Sequence, residues 1–162
     1  MSQIVVADAG PLIALARTGH LPLLKHLFKR VLIPKAVADE LELASDKPGA
    51  RALAQAIAPR SWLVVKPVRG DDPLESALGR GEREAILLAS REDALLLMDD
   101  RKGRRAARSA GVRVIGTGRV LIAAKRKGLL QSVSPVLDEL VEVGYRLSDA
   151  LVQRLRELAG EL

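Results

Sequence analysis

Residues 4–13 read Ile-Val-Val-Ala-Asp-Ala-Gly-Pro-Leu-Ile, a short apolar run that stops at a carboxylate and turns through Gly-Pro into a helical pattern. Unbroken apolar runs of this length suit strands buried on both faces, and such strands belong to parallel sheets covered by helices. In open sheets of that kind ligands bind beyond the carboxyl ends of the strands, so Asp8 stands where a site is expected. Alone, Asp8 reads better as the N-cap of the helix that follows. What decides between the two is whether other acids converge on it.

The rest of the chain repeats the pattern. Val31-Leu32-Ile33, Trp62–Val65, Ala94–Met98 and Val112–Ile115 are further apolar runs of strand length. Helical patterns separate them, at 21–28, 35–43, 50–57, 82–90 and 102–110, with a last one running on to Gly128. Gly19, Gly111 and Gly128 supply stops, and Pro34 is preset for a first turn. Strands alternating with helices predict a parallel sheet with helices on both faces. Arg69-Gly70-Asp71-Asp72-Pro73 is the clearest turn and the segment expected to be most mobile. The 162 residues therefore read as one α/β domain, 1–128, with a C-terminal helical extension, 129–162, packed on it or on a partner. Val136, Leu140 and Val143, then Leu151, Leu155, Leu158 and Leu162, form stripes in that extension that must be buried against something. Association with a second copy or with an inhibitory partner is the expectation; coverage of the chain's own domain is the alternative.

Composition removes several classes. With no cysteine there is neither a disulfide framework nor a thiolate metal site. No apolar run approaches the ~20 residues of a membrane span, and the N-terminus lacks the basic and apolar regions of a secretory leader, so a cytoplasmic protein is expected. A net charge of +6 and a pI near 10.1 favour a polyanionic or acidic partner. Aromatics are only 2% of the chain, which argues against a single-strand binder that stacks bases. His20 and His26 lie near the first two helices, away from the acids, and read as surface residues rather than members of a triad or zinc site. Neither Gly79-Arg80-Gly81 nor Gly116-Thr117-Gly118 extends to a dinucleotide or P-loop pattern. A phosphoacceptor receiver domain needs an Asp at the end of its third strand, where this chain has Val65-Lys66-Pro67.

The acids do converge. Right-handed crossovers bring Asp8 and Asp99-Asp100 to one edge of a parallel sheet. Glu40 shares a helix face with Val37 and Leu41, and an acid on an apolar face is costly unless paired or metal-bound. A salt bridge to a buried Lys or Arg is the plain alternative for it. Glu82 and Glu84 open the most apolar helix, near its positive end, where a charge preference alone accounts for one of them. Two residues apart, they cannot face the same way, and spacing does not choose between them. Clustered carboxylates need a cation, and all-oxygen ligation selects Mg²⁺ or Mn²⁺ over zinc. Such ions polarise phosphoryl oxygens and generate hydroxide from bound water. From Arg101 to Lys127 lysines and arginines recur with no Asp or Glu between them, directly after the Asp99-Asp100 pair. A solvated face would explain the run, but its position favours phosphate contacts.

These residues, in this order, resemble the PIN-domain nucleases, including the VapC-like toxins of toxin–antitoxin pairs, and most of all a PIN-like branch formerly of unknown function. The likeness runs through residues 6–13, Leu32-Ile33-Pro34 with Val37 and Glu40-Leu41, Gly81–Ile86, Leu97–Arg101, Gly116-Thr117-Gly118 and Ala124–Leu129. It implies a three-layer α/β/α fold with a five-stranded parallel sheet, followed here by the helical tail. It also implies a metal-dependent endoribonuclease working with Mg²⁺ or Mn²⁺. Carried onto this chain, the catalytic acids are Asp8, Glu40, Glu84 and Asp100, with Asp99 beside them as a further metal ligand. The match of Glu84-Ala85-Ile86 selects Glu84 over Glu82, and Asp100 fits the spacing slightly better than Asp99. Arg101, Lys102, Arg104 and Arg105 are the expected RNA contacts. The implied partners are RNA, a cognate antitoxin and a second copy in a homodimer, with no membrane. Relatives often carry a hydroxyl after the first Asp and before the last acid, where this chain has Gly10 and Met98. That departure keeps a second reading open: a catalytically degraded PIN-like module that binds RNA or protein.

Overall fold

The computed structural model describes residues 3–43, 45–69 and 77–162. In chain order the elements are β1 (Ile4–Ala7), α1 (Ala9–Arg17), α2 (Pro22–Leu27), β2 (Arg30–Pro34), α3 (Lys35–Glu40), α4 (Ala50–Ile57) and β3 (Leu63–Lys66). They continue with α5 (Arg80–Arg91), β4 (Leu95–Leu97), α6 (Arg101–Ser109), β5 (Val114–Ile115), α7 (Thr117–Arg126), α8 (Ser134–Glu142) and α9 (Asp149–Leu158). The five strands form one all-parallel sheet in the order β3-β2-β1-β4-β5, the middle layer of a three-layer α/β/α domain.

The expected fold class is therefore observed, and the strand order explains where a site falls. From β1 the chain builds outward through β2 and β3, then crosses back to place β4 on the other side of β1. That reversal is a topological switch point, and crevices open there beyond the carboxyl ends of the strands. Val6 sits in register with Leu96, and the Asp8 amide donates to the Leu97 carbonyl at 3.0 Å. Asp8 and the Asp99-Asp100 pair thus leave neighbouring strands at the same edge. Beneath them Leu12, Leu32, Ile33, Ile86, Leu96 and Leu97 are among the side chains sealed in the core.

Three local expectations change. The helix predicted over 35–43 stops at Glu40, because Glu42 adopts a left-handed backbone (φ 50°) and turns the chain away. Val37 and Leu41 are buried as expected, but Glu40 is exposed, so it is not an acid trapped on an apolar stripe. His20 is half-buried rather than a free surface residue, its Nε2 lying 3.4 Å from the Glu139 carboxylate. The turn expected at 69–73 falls, beyond Arg69, outside the described residues. Among the described residues no helix is long and apolar enough to cross a membrane.

The tail is folded onto its own domain. One hydrophobic cluster runs from β1 to α9 and takes in Val136, Leu137 and Leu140 of α8 and Leu155 of α9. Leu155 lies over Gly118 of α7, where any side chain would collide with it. Glu161 accepts from Lys125 Nζ at 2.7 Å and from the Val133 and Ser134 amides at 2.8 Å, pinning the end of the chain. The stripes expected to seek a partner are thus largely covered from within, and the extension leaves Leu129, Val141, Leu151 and Leu162 exposed. Leu155→Ala should cost about 2–4 kcal/mol in a single cooperative unfolding transition, the range for emptying a buried leucine site. Leu162→Ala, at 77% exposure, should stay within about 0.5 kcal/mol. Denaturant titration of both variants checks this; equal effects would mean that α9 is not part of the cooperative unit.

Candidate functional site

Asp8 occupies the N-cap position of α1 yet makes no side-chain capping hydrogen bond, so the cap does not account for it. It is 8% exposed. Burial raises its pKa from 3.8 to about 7; the Ala9 amide offsets part of this, and Glu82, Glu40 and Asp100 add repulsion. Those three carboxylates come from three other segments of the chain.

Glu82 is the third residue after the N-cap Gly79 of α5, and it reaches back to the Gly79 amide, half of a capping box. Its pKa is raised by burial and then by Asp100 and Glu40. Glu82 and Asp100 face each other as like charges, so the pair is short of positive charge. Asp100 caps α6 in addition, its Oδ2 accepting from the Gly103 amide at 2.8 Å. Glu40 lies against Gly81, accepts from its amide, and is raised by burial. A Cβ at position 81 would strike the Glu40 carboxylate, so glycine there is what lets α3 and α5 approach.

Glu84, selected above over Glu82, is placed elsewhere. Its Oε1 accepts from the Ala36 amide at 3.2 Å and its Oε2 from Arg80 Nε at 3.0 Å. It therefore serves the orphan donors at the start of α3 and pairs with Arg80. Two residues apart on α5, one acid faces Asp100 and the other faces α3. Asp99 differs again. It accepts from the Thr117 amide at 2.9 Å, from Thr117 Oγ1 at 2.5 Å, and from the Tyr145 hydroxyl. Sequence reasoning gave Thr117 no role on Asp99 and had no signal for Tyr145, whose contact spans 46 positions. Met98 is fully buried with its sulfur under Gly103.

Among the described residues no group of three or more carboxylates is drawn together tightly enough to enclose a metal ion. The donor set nevertheless fits a hard cation: oxygen ligands only, crowded by like charge, with a buried member raised to about 7. Asp8, Glu82, Asp99 and Asp100, with Glu40 on the rim, are the residues that could hold one.

A basic groove adjoins the acids. On α6, Arg101, Arg104 and Arg108 recur at spacings of three and four and share a face, whereas Lys102 and Arg105 project outward, exposed. The shared face, with Arg119 of α7 and Arg146 after α8, lines a cavity of about 450 Å³ floored by Leu147, Leu151 and Leu155. A second cavity of about 450 Å³ contains Asp8, Asp100 and Tyr145, and both are lined by Asp99, Arg101 and Arg146. Arg104 is lowered in pKa by burial and then by Arg108, with Asp99 opposing, and it donates to the Met98 carbonyl at 3.0 Å. Of the four expected RNA contacts, Arg101 and Arg104 line the groove; Lys102 and Arg105 do not.

The raised pKa of Asp8 has a definite sign. The folded chain prefers the neutral carboxyl, so this stability is complete below the unfolded value near 4 and is lost as pH rises toward 7. The loss is on the order of 4 kcal/mol at most. Without divalent ions, the wild-type melting temperature should fall between pH 5 and 8, and Asp8→Asn should flatten the fall and melt higher at pH 8. Parallel profiles for the two proteins would show that the Asp8 charge is not strained.

No curated protein sequence matches the chain. A solved structure similar to it is a PilT N-terminus domain protein from the hyperthermophilic archaeon Sulfolobus solfataricus P2. It is 19% identical, with a TM-score of 0.55 over 75% of this chain and 92% of that one. At that identity the likeness speaks for the fold alone. A family model described as PIN domain matches residues 4–161, from the first strand past the last helix, and by that match the chain belongs to the PIN-domain family.

Proposed function

We propose that the chain is a metal-dependent endoribonuclease that draws RNA along the arginine groove to the acids at the switch point. PIN domains are generally nucleases and typically use divalent metal ions. The observation that carries the proposal for this chain is that Asp99, Arg101 and Arg146 are common walls of an acidic and a basic cavity. Burial and then neighbouring carboxylates raise Asp8 in one cavity; burial and then Arg108 lower Arg104 in the other. One side is short of cations and the other of anions, as at a site for a phosphodiester with its metal.

Held by Asp8, Glu82, Asp99 and Asp100, with Glu40 at the rim, a bound Mg²⁺ or Mn²⁺ would polarise a phosphoryl oxygen and lower the pKa of water on it. The chain's own groups do the rest. Asp8 gives up its proton when a cation takes its place, so binding tightens as pH rises toward 7. Arg101 and Arg146, at the boundary, hold the phosphate that faces the acids, and Arg108 and Arg119 hold its neighbours. The apolar floor at Leu147, Leu151 and Leu155 offers a surface for sugars and bases without base-specific contacts.

The finer reading, a toxin held by a cognate antitoxin and assembled as a cytoplasmic homodimer, rests on the VapC-like resemblance; the tail's stripes do not add to it, being covered. The alternative, a catalytically degraded module that binds RNA or protein, is favoured by one observation: the described acids do not already enclose a metal position. Incubating the chain with labelled RNA and Mn²⁺ separates the two. Cleavage should need the metal, fall at least ~100-fold in Asp8→Asn and Glu82→Gln, and survive in Glu84→Gln. Loss in Glu84→Gln with retention in Glu82→Gln would restore the choice made from sequence. Metal-independent nicking in every variant would remove the enzymatic reading.

Binding should be salt-dependent. For single strands each phosphate contact contributes about 0.7 to the slope of log affinity against log salt. Replacing Arg108, Arg119 and Arg146 together by Ala should flatten the slope by about 2, whereas Lys102→Ala with Arg105→Ala should leave it nearly unchanged. Equal effects from the two sets would reduce the groove to diffuse surface charge.

A further inference from the structure

We infer that Tyr145, from the helical tail, is a positioning residue of the acidic site, its hydroxyl fixing Asp99 and completing the wall that Gly10 leaves open. The inference rests on the reading of the acids as a cation site and adds the tail to it.

Tyr145 is delivered by a helix ending rather than by a flexible loop. At the end of α8 the Gly144 amide donates to the Val141 carbonyl at 3.0 Å and the Tyr145 amide to the Leu140 carbonyl at 2.9 Å. This pairing is a Schellman ending, and Gly144 holds the left-handed conformation it needs (φ 89°). The helix behind it is anchored by Val136, Leu137 and Leu140 in the core and by Arg17 Nη1 donating to the Val143 carbonyl at 2.9 Å. The ring is half-buried, and its hydroxyl donates to Asp99 Oδ2. With the Thr117 amide and hydroxyl on the same carboxylate, Asp99 is held from both sides, by the sheet edge and by the tail.

Tyr145 also lines the cavity of the first acid, Asp8. A Cβ built on Gly10, two residues after Asp8, would stand 3.9 Å from the Tyr145 oxygen and meet nothing else within 4 Å. A serine at position 10 has room to bring its own hydroxyl toward the place the tyrosine fills. The chain leaves that position bare and brings the oxygen from the tail. Asp8, Asp99, Gly10, Gly144, Tyr145 and Arg146 line one cavity, so removing the hydroxyl acts on the acids rather than on a remote surface.

Tyr145 is the chain's only tyrosine and Trp62 its only tryptophan, which makes the test spectroscopic. Tb³⁺, a hard-cation probe, luminesces when an excited aromatic lies close to it. In Trp62→Phe protein, excitation of tyrosine should produce Tb³⁺ emission that Mn²⁺ competes away and that Tyr145→Phe abolishes. By calorimetry Tyr145→Phe should bind Mn²⁺ about 10-fold more weakly than wild type, the effect of losing an outer-shell partner. Adding Gly10→Ser to Tyr145→Phe should recover most of that loss, a rescue that a purely structural tyrosine would not give. Unchanged Mn²⁺ affinity in Tyr145→Phe, or no rescue by Gly10→Ser, overturns the inference while the cation site stands. Wild type that binds neither Mn²⁺ nor Tb³⁺ overturns the cation site itself, and the inference with it. Terbium emission read from the unsubstituted Tyr145 does not depend on whether its variants fold.

Discussion

Asp8 is buried at the end of the central strand with Glu82, Glu40 and Asp100 near enough to oppose its ionisation. That concentration of like charge is the constraint around which the domain is arranged. Parallel strands all deliver their carboxyl ends to one edge, and the switch between β1 and β4 opens a crevice there. The acids are carried into it on rigid elements: a strand end, two helix starts and a helix end. None of them can swing far from the others without disturbing a backbone hydrogen bond it also serves.

The double service is visible residue by residue. Glu82 closes half a capping box on Gly79, Asp100 caps α6, and Glu40 accepts from Gly81. Each helix start thereby satisfies an orphan amide and also aims a carboxylate. Glu84 shows the contrasting case, an acid of the same helix devoted to the Ala36 amide and to Arg80. The local rules that make a helix begin with an acid do not say whether that acid is structural or chemical. Its neighbours do.

The arginines complement this arrangement at the level of the whole edge. One face of α6 turns Arg101, Arg104 and Arg108 toward Arg119 and Arg146, beside Asp99. The net charge of +6 is thus not spread evenly but shaped into a wall next to an acidic pocket. The tail contributes to both sides of that boundary, Tyr145 to the acids and Arg146 to the groove. This gives the tail a second role besides covering the core with Val136, Leu140 and Leu155.

The sequence by itself determined the elements and the edge. Strand periodicity, Gly stops and Pro starts are local signals, and alternation of strand and helix leaves few topologies once crossovers are right-handed. Asp8 and the Asp99-Asp100 pair were legible for that reason, since each simply ends a strand. Side-chain aim was not legible. Periodicity says that Glu82 and Glu84 face different ways, but not which of them meets Asp100, because that depends on how α5 is rotated against α3 and α6. It puts Glu40 on a face with Val37 and Leu41, but not that the helix ends there and leaves the acid in solvent while those two are buried. It shows a basic run, but not which third of α6 looks into a groove. Tyr145 was beyond reach altogether, as its partner lies 46 residues away and only the docking of α8 brings the two together. Local patterns fix what each segment becomes; packing between segments fixes what each side chain meets, and the chemistry of this site resides in those meetings.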